Sequence, residues 1–89
     1  MNRKCTSLKL SEQVVFKIYS DIYKEKIPMD GTVISVQEDI NKVCVIWLDG
    51  YKSRTDFISF EDMLAVYNPN GEMMKFKNIS GKSDLLIPE

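Results

Sequence analysis

Six consecutive apolar residues, Val43-Cys44-Val45-Ile46-Trp47-Leu48, are followed at once by Asp49-Gly50. A run apolar on both of its alternating faces reads as a strand buried on both sides, at the centre of a sheet. Asp-Gly directly after such a run is a strong signal for a tight hairpin. The chain is therefore expected to fold back at Gly50, and the alternating residues 51–58 supply the returning strand. At 89 residues there is room for one domain with one modest core. Residues 1–89 are read as that single domain, with this hairpin near its middle.

Further strand signals flank the hairpin. Gly31 opens a β-branched run over residues 32–36, and Glu38-Asp39-Ile40-Asn41 is a polar turn. Ser59-Phe60-Glu61-Asp62 predicts one short helical turn, with Asp62 placed to reach back to Ser59. Residues 64–67 and 73–77 are short strands on either side of the loop Asn68-Pro69-Asn70-Gly71. Five short strands spaced at about ten residues predict a small barrel or sandwich, and closure would hide the sheet edges. Residues 78–89 are left as a loose C-terminal tail.

Residues 1–10 form an N-terminal arm, and residues 11–27 are expected to be a helix. Ser11 is placed to cap it, Glu12 suits the positive end of the dipole, and Pro28 ends the run. Val14, Val15, Ile18 and Ile22 recur at helical spacing. Wound as a helix, the apolar residues cover roughly 200° of arc, against the stripe of about 100° that a helix on a small body needs. The excess lies at Phe16, Tyr19 and Tyr23: either a loop or the C-terminal tail covers it, or it is a second contact surface for another protein or for a second copy of the chain through the helix. The expected fold class is α+β, mostly β: an N-terminal helix packed on a five-stranded SH3-like barrel over residues 31–77.

The barrel carries a resemblance. The stretch Gly31-Thr32-Val33, then Val43-Cys44-Val45-Ile46-Trp47-Leu48-Asp49-Gly50-Tyr51, Phe57-Ile58 and Met63-Leu64 resembles the Tudor and KOW group of SH3-like barrels over residues 31–67. The turn glycine precedes the aromatic here, whereas a Tudor domain has the reverse order. The resemblance implies an aromatic cage for a methylated cation, with Trp47, Tyr51, Phe57 and Tyr67 as candidates. The residues themselves favour Trp47 as core. The KOW likeness implies contact with nucleic acid in transcription or translation.

Charge and motif content rank the function classes. Residues 1–27 carry six bases against three acids, and residues 28–89 carry six bases against ten acids. An acidic body is a poor track for phosphates. A nucleic-acid-binding role would rest on Arg3, Lys4, Lys9, Lys17, Lys52 and Arg54. The chain has no histidine, no glycine-rich phosphate loop and no nucleophile motif, so a non-enzymatic role is expected. Without histidine or a close cysteine pair, no structural zinc site is expected, and no cofactor is implied. Asp30, Glu38, Asp39, Asp49 and Asp56 are accounted for by local hydrogen bonds in turns. Cys5 and Cys44 are read as free thiols of a reducing compartment, which points to the cytoplasm. No apolar run approaches the roughly 18 residues of a membrane span. The leading expectation is a small protein-interaction module, an adaptor or a virus-encoded inhibitor or regulator of a larger host machine. Its contacts would be Phe16, Tyr19, Tyr23, Tyr51 and Arg54.

Overall fold

The computed structural model describes residues 5–79 and 82–88. Seven strands form one antiparallel sheet: β1 (Gln13–Ser20), β2 (Glu25–Gln37), β3 (Lys42–Asp49), β4 (Lys52–Ser59), β5 (Met63–Tyr67), β6 (Met73–Ile79) and β7 (Lys82–Pro88). Their order across the sheet is β4-β3-β2-β1-β5-β6-β7. Three-residue 3-10 turns cover Cys5–Ser7, Glu38–Ile40 and Phe60–Asp62.

The α+β fold class is corrected. Residues 11–27 form no helix, and no described helix is longer than those 3-10 turns. The segment is instead β1, a turn and the start of β2. Five of the six residues 14–19 are β-branched or aromatic, types that pack well on a pleated surface. Val14, Phe16 and Ser20 are buried, whereas Gln13, Lys17 and Tyr19 are exposed, which is the alternation of a strand. The over-wide apolar arc was therefore a strand's two faces plotted with the wrong period. Ser11 caps nothing: it adopts φ 75°, and its N–H donates to Val33 O at 2.9 Å, docking the N-terminal segment on β2. With no helix there is no basis for self-association through one. The five-stranded barrel over residues 31–77 is replaced by the seven-stranded sheet, in which residues 13–30 are central. Residues 82–88 of the expected loose tail are strand β7, paired with β6.

β2 is the long member and joins two halves of the sheet. Glu25 to Thr32 pair with β1, and Gly31 to Gln37 pair with β3. Pro28 falls where β2 has a neighbour on one side only, a position at which a sheet tolerates the missing donor. Register shifts interrupt the β1–β5 pairing, where Leu64 of β5 is the extra residue, and the β2–β3 pairing, where Ile34 of β2 is the extra residue. Such irregularities bend a strand and increase its twist, so one face can wrap a core.

That face contributes Val14 and Phe16 from β1, Val33 from β2, and Val43, Val45 and Trp47 from β3. Ile58, Met63 and Val66 extend the cluster, and Cys5, Leu8 and Phe60 cover it. Phe16 meets Trp47 edge to face, with ring centroids 6.2 Å apart. Both cysteines are buried, and they form no disulfide among the described residues. No described helix is long and apolar enough to cross a membrane.

Gly31 is the corner that brings these groups together. A Cβ built there would lie 2.8 Å from Phe16 Cε1 and 2.9 Å from the Ile46 carbonyl oxygen. The ring is a side chain and can turn aside, but the Ile46 oxygen belongs to the backbone of the neighbouring strand and is held by the sheet. Gly31→Ala is expected to destabilise the fold by about 1–3 kcal/mol, the usual cost of overpacking. Phe16→Ala should cost about 3–5 kcal/mol. Urea denaturation of the two variants checks both values, and a neutral Gly31→Ala would refute the corner assignment.

Candidate protein-interaction site

The turns of the β1–β2 and β3–β4 hairpins lie against each other. Asp49 and Lys52 are paired across a two-residue turn, with Gly50 at φ 64° in its first central position. That position and sign of φ are those of a type II′ turn, which only glycine fills without strain. The other turn brings Ile22 onto Gly50: a Cβ built on the glycine would sit 3.2 Å from Ile22 Cγ1.

A polar network beneath the turns fixes this arrangement. Asp49 points inward at the end of β3 and is only 1% exposed. Its Oδ1 accepts from the fully buried Ser20 hydroxyl, and its Oδ2 accepts from the Asp21 N–H and from Arg54 Nη1, both at 3.0 Å. The Ser20 hydroxyl oxygen in turn accepts from the Tyr23 N–H at 3.1 Å. Arg54 Nε lies 3.3 Å from Asp56 Oδ2, which also accepts from Trp47 Nε1 at 2.8 Å. The guanidinium lies over the Trp47 ring, 4.9 Å from its centroid. One arginine on β4 thus joins the ends of β1 and β3.

The Ser20 hydrogen bond holds the Asp49 carboxyl below its usual pKa. Burial opposes that shift, and the Arg54 contact and the Asp21 N–H reinforce it. For Arg54, burial acts to lower the pKa and is outweighed by the Asp49 hydrogen bond and the charges of Asp56 and Asp21, so the net direction is upward.

The turns and the adjoining outer face carry apolar side chains into solvent. Tyr51 is 90% exposed, Tyr23 60% and Tyr19 51%, and Ile22, Ile46 and Leu48 are exposed as well. Ile46 and Leu48 border a groove of about 520 Å³ on the outer face, whose other walls include Val15, Met29 and Thr32.

Placement revises several expected contacts. Tyr19, Tyr23 and Tyr51 are surface residues, on a strand and two turns. Phe16 has no exposure and belongs to the core, because its strand position faces inward. Arg54 is committed to three carboxylates within the fold. The four expected cage aromatics do not share one face. Trp47 points inward and its ring already receives Arg54, whereas Phe57, one position before inward-facing Ile58, points outward. Asp49 and Asp56 are strand residues that bind across the sheet, which corrects their reading as local turn acids.

Of the expected nucleic-acid contacts, Arg3 and Lys4 lie outside the described residues. Lys9, Lys17 and Lys52 are exposed on three separate segments. Ser20, Ile22, Ile46 and Leu48 were not foreseen as site residues. For Ile46 and Leu48 the available signal was period two within the apolar run, which puts them on the face opposite Trp47. No family model, curated protein or solved structure matches the chain.

Two measurements test the network. The Asp49 carboxyl is held low in the folded state, so its contribution to stability is complete above the ordinary carboxylate range. That contribution is lost as pH falls through the lowered value. The urea midpoint should decline over that acid window, and Asp49→Asn should lower the neutral-pH midpoint and flatten the decline. Ser20→Ala strips a donor from Asp49 and an acceptor from the Tyr23 N–H, and should cost about 1–3 kcal/mol.

Proposed function

We propose that this chain is a non-catalytic protein-interaction module, whose binding surface is the paired hairpin turns together with the adjoining outer face of β3. The observation that carries the reading is the placement of Ile22, Tyr23, Leu48 and Tyr51, all exposed, around a junction fixed by buried hydrogen bonds. Protein interfaces are enriched in aromatic side chains at their centres. A rigid support lowers the ordering cost of binding, because the anchors are held before the partner arrives. The groove beside Ile46 and Leu48 offers a recess for a partner's apolar side chain. The nucleic-acid alternative is not favoured, since Arg54 spends its donors on Asp49, Asp21 and Asp56, and Lys26 is paired with Asp62 at 3.2 Å.

The test is the double substitution Tyr23→Asp and Tyr51→Asp. Both side chains are exposed, so the unfolding free energy should change by no more than about 0.5 kcal/mol per site. Affinity capture from the native cell, quantified by mass spectrometry, should return a partner with the parent chain and lose it with the double variant. Retention of every captured protein by the folded variant would refute this surface.

A further inference from the structure

We infer that the free edge of β4 takes up an extended segment of a partner protein as an added strand, and that the segment places an apolar side chain and an acidic one in the groove beside that edge. The inference rests on the reading of the chain as a protein-interaction module and specifies a second mode of contact for it.

β4 ends the strand order, and no described residue pairs with its outer side. The two-residue turn fixes which of its backbone groups are free. Asp49 and Lys52 flank the turn as a hydrogen-bonded pair, and the register to Ser59 runs without a shift. Hydrogen-bonded and non-bonded pairs alternate along such a ladder. Lys52, Arg54, Asp56 and Ile58 therefore bond to β3, and Ser53, Thr55 and Phe57 direct their N–H and C=O groups away from it. An open row of this kind is a template for another strand.

Beside this edge lies a groove of about 350 Å³ between β4 and the β1–β2 hairpin. That is within the range of about 300–1,000 Å³ in which proteins hold ligand groups. Ile18, Tyr19 and Phe57 give it apolar walls. Its charges are mostly settled internally. Arg54 engages Asp56, and Lys26 engages Asp62. Lys17 also lines the groove and has no ion pair among the described residues. A carboxylate on the incoming segment supplies what Lys17 lacks. Arg54, reaching across to the Tyr19 carbonyl at 3.4 Å, bounds the groove toward the turns. The added strand is thereby registered on Thr55 and Phe57.

The test uses a displayed library of linear eight-residue peptides selected on the full chain. The expected result is enrichment of peptides with an acidic residue near an apolar one. Binding them should slow amide hydrogen exchange at Thr55 and Phe57, read by NMR. Thr55→Pro removes an outward N–H at an edge position that accepts proline, and should weaken binding about tenfold, the worth of roughly one hydrogen bond. Alternate N-methylation of the peptide should do the same without altering the protein, which keeps the test decisive should Thr55→Pro fail to fold. Lys17→Glu should shift the selection away from acidic peptides. The edge inference is overturned if no peptide is enriched, or if protection at Thr55 and Phe57 appears without peptide and grows with protein concentration, which would identify a second copy as the occupant. It is also overturned if enriched peptides ignore both backbone changes but are lost with Tyr23→Asp and Tyr51→Asp. That last result would leave the hairpin-end surface standing.

Discussion

A carboxylate with almost no access to water has to be compensated within the protein, or the structure that buries it is not stable. Asp49 occupies such a position, and its compensation determines how the two hairpins meet. A hydroxyl from the end of β1, a backbone N–H from the turn that follows and a guanidinium from β4 converge on one side chain at the end of β3. Satisfying all three donors at once restricts how the two hairpins can be placed. Hydrophobic burial alone is non-directional and would tolerate a range of placements. The polar junction therefore supplies a geometric precision that the apolar core beneath it does not.

The core sets the complementary constraint. Phe16 and Trp47 stand on strands separated by β2, and their rings meet only because Gly31 between them carries no side chain. β2 passes from pairing with β1 to pairing with β3 at Gly31 and Thr32, and across the two halves so joined Arg54 reaches the Tyr19 carbonyl at 3.4 Å. Corner and junction depend on each other.

Much of the sheet was legible in the chain's punctuation. Asp49-Gly50 marked a hairpin that forms at that position, and the strands on both sides fall close to where alternation and β-branching put them. The segment from Ser11 was misread because Val14, Val15, Ile18 and Ile22 satisfy a helical spacing as well as a strand's. The density of β-branched and aromatic residues there is the signal that separates the two. Ile46 and Leu48 were assigned to the interior because an apolar run does not say whether both of its faces are covered, and here the outer face is open. The Asp49 network lay beyond sequence reading. Ser20 and Asp49 are 29 positions apart, and nothing local distinguishes this serine from an ordinary turn residue. Its role follows from a fold in which two turns are brought together.

Trp47 has a property that follows from its place at this junction. It is the chain's single tryptophan. Its indole N–H is fixed on Asp56, and its ring face is covered by the same guanidinium that neutralises Asp49. Any event that loosens the hairpin ends changes the charge, the hydrogen bonding and the solvent around one fluorophore, with no second indole to obscure the signal. The protein thus carries an intrinsic optical reporter at the joint on which its exposed surface is mounted, so movements of that joint can be followed in the unlabelled chain.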